Sequence, residues 1–427
     1  MRPASPDAPW RAPVAAGPVT GTVTLPGSKS QTNRALLIAA LSEVPSTIHA
    51  PLRARDTLLM ARGLQALGAQ IADTPAGGWH VTPGPRPDVP VEVDCGLAGT
   101  VARFLPPYAA LGSQPVRFVG DPRMSDRPLG PLLSALRTVG ATADGEAIPV
   151  TVRGPARGGA VTIDASTSSQ LVSGLLLSAP ALPAGLDLRH EGPRVPSSYH
   201  LTMTVRMLRE AGATIDVTPD RWQVRSAALR AADRTIEPDL SSASAFLAAA
   251  AATGGAVTIA GWPLDTDQPG AVLPELLTAM GCSVRRDGDG QTIVGPAALD
   301  GLEADLRDVP ELALTLVALA VLARTPSRLT GIGHLRLQES DRLAAIATEL
   351  GRLGARIEIL DEGGLAITPA PLAAPDPVVL DPHADHRLAM AYAVVGLVVP
   401  GVEVADIATT GKTVPGFDHI WERLVGV

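Results

Sequence analysis

Apolar residues recur along this chain at two alternating spacings, three to four residues and then two, and the change from one to the other comes at nearly equal intervals. Five segments share one shape. Leu64, Leu136, Leu208, Leu277 and Leu350 each precede a glycine by four residues, at Gly68, Gly140, Gly212, Gly281 and Gly354. These glycines are 72, 72, 69 and 73 residues apart. Each stands where a helix-periodic stretch gives way to an alternating one, as at 214–217 and 356–359, which is where a left-handed glycine ends a helix. A further step of 72 residues reaches Gly426, a weak sixth copy.

Each unit carries two helical stretches among short strands, and in the first these are 31–41 and 57–67, after a strand at 21–25. Six α+β units divide most simply into two domains of three, with the boundary around 234–240. After it, Ser241, Ser242 and Ser244 are placed to cap an alanine-rich helix.

Composition narrows the class. The chain has 427 residues, enough for two cores, and with 46% hydrophobic but only 3% aromatic residues those cores should be aliphatic. The longest apolar runs, near 312–323 and 388–400, are too short to span a bilayer, so no membrane segment is expected. Residues 1–18 read as a loose Pro- and Ala-rich arm and not as a signal peptide. Cys95 and Cys282 are too few for a disulfide framework or a zinc site, which points to a reduced cytoplasmic setting. With net charge −8 and scattered arginines, a nucleic-acid surface is not expected.

Of 35 Lys and Arg residues only Lys29 and Lys412 are lysine. Arginine replaces lysine in solvation but not where a compact cation with a movable pKa is needed, so the two lysines mark candidate chemistry. Lys29 lies in Pro26-Gly27-Ser28-Lys29-Ser30-Gln31-Thr32-Asn33-Arg34, where a Gly-Ser turn opens a helix and makes an anion seat, with Ser30 as its cap. This is not a P-loop, because Ser28 stands between Gly27 and Lys29. The matching places in the next two units hold Ala98-Gly99-Thr100 with Arg103, and Ser166-Thr167-Ser168-Ser169-Gln170, whose hydroxyls either cap helices or hold a phosphate. Arg123 and Arg127 share a turn, while Arg342 and Arg387 follow an acid or His386 at probable helix starts, where a cation opposes the helix dipole unless an anion binds. Lys412 sits among hydroxyls in Thr409-Thr410-Gly411-Lys412-Thr413.

Together these segments resemble the 5-enolpyruvylshikimate-3-phosphate synthase family of enolpyruvyl transferases, from about residue 26 to residue 417. The resemblance implies an α/β fold of two domains, an inside-out α/β barrel of six βαβαββ repeats, three per domain, closing on a cleft. Residues 1–20 with 240–427 would form one domain and 21–239 the other, with crossovers near 18–24 and 234–242. The family transfers the enolpyruvyl group of phosphoenolpyruvate to the 5-hydroxyl of shikimate 3-phosphate without metal or other cofactor, and a monomer is expected. Carried over by motif, Lys29, Ser30, Arg34, Ser168, Ser169, Gln170, Ser197, Glu311 and Gln338 would contact shikimate 3-phosphate. Lys29, Gly99, Thr100, Arg127, Gln170, Arg342, His386, Arg387 and Lys412 would surround phosphoenolpyruvate. Glu311 would be the base for the hydroxyl, Glu339 and Lys29 the candidates for proton transfer at the methylene carbon, and Lys412 the aid to phosphate departure.

Some positions depart from the family pattern. Leu97 and Phe104 flank the Gly99 turn where the family often has Asn and Pro, and His200 stands for a frequent Tyr. Gln338 replaces a common Lys, leaving Arg336 as a candidate substitute. The alternative acceptor is UDP-N-acetylglucosamine, but enzymes of that kind usually carry a cysteine in the loop matching 120–128, which has none here.

Overall fold

The computed structural model describes residues 8–374 and 376–426, apart from the side chain of Asp287. Two compact units divide the chain, one of residues Gly27–Glu237, the other of Met1–Pro26 with Pro238–Val427. In the first unit α1 (Lys29–Leu41), α2 (Arg55–Ala66), α3 (Gly99–Ala109), α4 (Gly130–Thr138), α5 (Ser169–Ser178) and α6 (Ser198–Glu210) alternate with short strands. The second holds α7 (Leu240–Thr253), α8 (Leu273–Ala279), α9 (Ala313–Ala320), α10 (Arg342–Gly351), α11 (His386–Gly396) and α12 (Phe417–Val425).

Among the described residues, five of the six small sheets follow one rule. In the third repeat Gly159–Ile163 pairs parallel with Leu186–His190, and Arg221–Val224 lies antiparallel between that strand and Ile215–Thr218. A crossover through α5 serves the parallel pair, and a hairpin serves the last two strands. The same order recurs with Val91–Asp94, Val116–Val119, Val150–Arg153 and Thr142–Asp144, and with Glu303–Asp305, Ser327–Thr330, Gly364–Thr368 and Arg356–Leu360. None of the six sheets closes on itself among the described residues.

Three sheets borrow a strand from elsewhere in their own unit. Arg234–Thr235 supplies the first strand beside Ser46–His49, and Thr20–Val23 the first beside Ala256–Ile259. Trp10–Arg11 pairs antiparallel with Val402–Val404 in the last sheet. The expected loose arm is therefore docked from residue 10 onward, because strand edges of the last repeats would otherwise stay unpaired; residues 1–7 lie outside the described residues. The first crossover follows, between Pro26 and Gly27.

The layering runs from inside to outside. Helices α1, α3 and α5 are buried nearly all round and pack on one another, as do α7, α9 and α11. The apolar runs near 312–323 and 388–400 are two of these core helices, and among the described residues no helix is long and apolar enough to cross a membrane. Strands such as Trp79–Thr82 alternate buried and exposed positions, so each sheet turns one face inward. The cores are chiefly aliphatic, and in the second unit Phe246, Phe417 and Trp421 are fully buried together, with ring centroids 5.2–5.7 Å apart.

The repeat glycines have the predicted geometry. Gly68, Gly140, Gly212, Gly281 and Gly354 have φ between 95° and 106°, and Gly426 has 88°. Each turns the chain from the second helix of its repeat, or for Gly426 from α12, in a conformation that a β-carbon would strain.

Candidate active site

In the unit Gly27–Glu237, Ser28 rather than Ser30 caps α1, its Oγ accepting from the Gln31 N–H at 3.4 Å. The helix thus begins at Lys29, two residues before its apolar pattern is visible, and Ser30 lies within the first turn. Lys29 Nζ stands 3.5 Å from Oδ2 of Asp56, a buried carboxylate in the first turn of α2. Arg34, expected at the substrate, is 1% exposed and directed at protein acceptors. Its Nε donates to Thr204 Oγ1 at 2.7 Å, Nη1 to the Ser30 carbonyl at 3.1 Å, and Nη2 to Ser173 Oγ and the His200 carbonyl at 3.2 and 3.1 Å. Burial pushes its guanidinium down to about 9.

The N-terminus of α3 adjoins that of α1. Thr100 does not cap α3; its Oγ1 accepts from Asn33 Nδ2 at 2.7 Å, while Ala98 occupies the cap position. Gly99 leaves room for two buried arginines. A β-carbon there would lie 2.8 Å from both Arg103 Nη1 and Arg127 Nη2. Arg127 Nη1 donates to the Leu97 carbonyl at 3.2 Å, and Arg103 donates to Gly99 O, Gln170 Oε1 and Pro128 O at 3.3, 3.4 and 3.1 Å. Gln170 belongs to the first turn of α5, which Ser168 caps, with Ser169 buried beside it. Ser197 precedes α6 with φ 57°, in the left-handed region. Helix N-termini, two guanidiniums and Lys29 together make a surface suited to anions.

In the other unit the sites on α10, α11 and the 3-10 turn Ile407–Lys412 are linked directly. Glu339 is 7% exposed; its Oε1 is 2.6 Å from Lys412 Nζ and its Oε2 2.9 Å from Arg342 Nη2. Arg342 also donates to Asp385, Nε to Oδ2 at 2.6 Å and Nη2 to Oδ1 at 3.2 Å. Burial alone would lower its pKa, but Asp385 and Glu339 hold it above the ordinary arginine range. Arg387 Nη1 donates to the Glu311 carbonyl at 2.8 Å, and burial followed by the nearby Arg342 lowers its pKa. His386, in the first turn of α11, has Nδ1 3.6 Å from Asp385 Oδ1.

Glu311 lies in the 3-10 turn Pro310–Leu312 and acts electrostatically on His334, Arg342 and Arg387. His334 is driven down to about 4, by burial first and by Arg307 and Arg342, against the raising effect of Glu311. Gln338 is half-buried, whereas Arg336 is exposed, its Nη1 3.5 Å from Asp341 Oδ2. The cap expected of Ser241 to Ser244 is provided by Asp239, whose Oδ1 accepts from the Ser242 N–H at 2.9 Å.

Sequence reasoning missed Asp56, Asn33, Asp385 and His334 as members of these clusters. Asn33 and Asp385 were inside motifs already singled out, and their local signal was spacing: Asn33 lies one turn from Lys29, and Asp385 directly before a helix start. Asp56 had no such signal, being 27 residues from Lys29.

Comparison with known proteins agrees along the whole chain. A sequence model of the family described as EPSP synthase (3-phosphoshikimate 1-carboxyvinyltransferase) matches residues 14–421. A 3-phosphoshikimate 1-carboxyvinyltransferase from Mycobacterium ulcerans is 49% identical over 426 residues, covering 98% of each chain. Among solved structures, an EPSP synthase from Acinetobacter baumannii superposes with TM-score 0.76 at 22% identity over 97% of both chains. The enolpyruvyl transferase NikO from Streptomyces tendae gives 0.73 at 20% identity over 96% of both, and these two show the shared α/β fold. The match to the family over nearly its full length, on a chain of six such repeats, makes this protein a member of the EPSP synthase family, the 3-phosphoshikimate 1-carboxyvinyltransferases.

Proposed function

We propose that the chain transfers the enolpyruvyl group of phosphoenolpyruvate to the 5-hydroxyl of shikimate 3-phosphate and releases phosphate, serving aromatic amino acid biosynthesis in the cytoplasm as a monomer. The observation that carries this reading is the 49% identity to a 3-phosphoshikimate 1-carboxyvinyltransferase over 98% of both chains. UDP-N-acetylglucosamine as acceptor is not favoured. Cys95 and Cys282 are buried, and burial, with Asp94 beside Cys95, pushes their thiols up to about 12 and 11, so neither resembles a reactive thiolate.

The chemistry is addition followed by elimination. Glu311 takes the proton of the 5-hydroxyl as its oxygen bonds to C2 of phosphoenolpyruvate, while C3 gains a proton and becomes a methyl group. The C2–O bond to phosphate then breaks, phosphate leaves with the electron pair, and loss of a C3 proton restores the double bond. Glu339, flanked by Lys412 and Arg342, suits the removal of that proton. Lys29 is the matching donor in the addition step. Lys412, Arg342, Arg387, Arg127 and His386 bind phosphoenolpyruvate, helped by the Gly99, Thr100 and Gln170 region, and Lys412 offsets charge on the departing phosphate. Lys29, Ser30, Ser168, Ser169, Gln170, Ser197 and Gln338 hold shikimate 3-phosphate. Arg34, with its described bonds all to protein, fixes α1 to α5 and α6 behind that seat.

Phosphate release from phosphoenolpyruvate is measured with shikimate 3-phosphate, with UDP-N-acetylglucosamine and with neither, in the presence of EDTA. Release with the first acceptor alone is expected. No release with it overturns the reading.

A further inference from the structure

The motif Asp385-His386-Arg387 lends two members to the proposed phosphoenolpyruvate site and leaves the first unassigned. Asp385 is fully buried, with no exposed surface, and a buried carboxylate is costly unless its oxygens are satisfied. Both are. Oδ2 accepts from Arg342 Nε at 2.6 Å and from Ser340 Oγ at 3.5 Å, and Oδ1 accepts from Arg342 Nη2 at 3.2 Å and from the backbone N–H of Arg387 at 2.9 Å. One side chain therefore does two things at once: it caps α11 and grips the guanidinium of another helix along one edge.

The grip settles which edge of Arg342 is presented. Nε and Nη2 are occupied by Asp385 and Glu339, whereas Nη1 donates to none of the described residues. A planar guanidinium clamped along one edge can meet a ligand only with its remaining N–H groups, so the clamp aims as well as anchors it. The cap acts on the second arginine, because the first turn of α11 sets where Arg387 starts and its Nη1 reaches the Glu311 carbonyl at 2.8 Å.

We propose, resting on the function given above, that Asp385 is the positioning residue for phosphoenolpyruvate: it aligns Arg342 and Arg387 as one anion-binding pair without touching substrate. Its two tasks are separable. Ser is a good helix cap but too short to grip the guanidinium, so Asp385→Ser keeps α11 and frees Arg342; Asp385→Asn keeps the shape and replaces one acceptor oxygen by an amide donor.

The test measures wild type, Asp385→Ser and Asp385→Asn for kcat, the KM of phosphoenolpyruvate, the Kd of shikimate 3-phosphate alone by calorimetry, and thermal melting. Expected is a KM for phosphoenolpyruvate raised at least about tenfold in both variants, with the Kd of shikimate 3-phosphate within about twofold of wild type. A KM within about twofold of wild type in a folded Asp385→Asn overturns the proposal. So does a loss of shikimate 3-phosphate binding in step with the KM, the mark of a merely structural role. If wild type itself releases no phosphate from the substrate pair, the functional reading fails; if wild type turns over and the variants match it, only the role of Asp385 fails.

Discussion

Glu339 and Lys412, 73 residues apart, form a buried ion pair with Oε1 2.6 Å from Nζ. Removing Lys412 leaves Glu339 with Arg342 as its remaining counter-charge and Oε1 without its donor, so Lys412→Met should both weaken the fold, by about 1–3 kcal/mol, and lower kcat by about a hundredfold or more. Lys412→Arg keeps the charge but spreads it over a plane and should still lose at least about tenfold in kcat. Steady-state phosphate release alongside thermal melting separates the two effects; a kcat near wild type in either variant would remove Lys412 from the chemistry.

Gly99 faces the guanidiniums of Arg103 and Arg127. Its alanine variant places a methyl 2.8 Å from Arg103 Nη1 and Arg127 Nη2 and 3.0 Å from Arg127 Nη1. Both contacts are the far ends of long side chains, which yield by shifting, so the fold survives while the anion seat is displaced. We expect the KM of phosphoenolpyruvate to rise by about tenfold, with melting changed by less than about 2 °C and shikimate 3-phosphate affinity retained. An unchanged KM would show that neither arginine meets this substrate.

His334 gives the protein an acid-side dependence. Its folded pKa is about 4 against 6.5 unfolded, so between those values the unfolded chain binds more protons. The stabilising difference is complete above pH 6.5 and is lost as pH falls through the window from 6.5 to 4. At pH 5 the loss amounts to roughly 2 kcal/mol relative to neutral pH. Urea unfolding of wild type and His334→Asn at pH 7 and pH 5 should show a smaller drop in the variant; equal drops would assign the acid sensitivity elsewhere.

The repeat glycines differ in what surrounds them. Gly212 has nothing within 4 Å of a built β-carbon and φ 96°, so Gly212→Ala carries backbone strain alone, about 1 kcal/mol. At Gly68, with φ 106°, the same carbon lies 2.0 Å from the Pro85 carbonyl oxygen, and backbone cannot swing aside. Gly68→Ala should cost clearly more, above about 2 kcal/mol by chemical denaturation. Equal costs would mean that the turn at Pro85 adjusts freely.

Local features were legible and partner choices were not. The six turns at Gly68 through Gly426 could be located because a helix end needs a left-handed residue and glycine marks it in the chain. The start of α1 was misplaced by two residues because Ser28 and Ser30 have equal capping chemistry, and only the path of the turn selects Ser28. Arg34 and Lys29, read together as substrate cations, have different protein partners, Lys29 meeting Asp56 while Ser173, Thr204 and His200 approach Arg34 from α5 and α6.

The amino-acid order alone established the repeat count, the alternation of helix and strand, and the motifs around Lys29, Arg342 and Lys412, because these depend on spacing and on residues within a turn of one another. Tertiary structure decided that Thr20–Val23 and Trp10–Arg11 complete sheets of the later repeats, that Asp56 meets Lys29, and that Asp385 and Glu339 divide Arg342 between them. Apart from Glu339 with Arg342, three positions apart, those pairings join residues tens to hundreds of positions apart. They arise from unpaired strand edges and buried charges finding partners in a packed interior, where the cost of leaving a polar group unsatisfied exceeds any local preference.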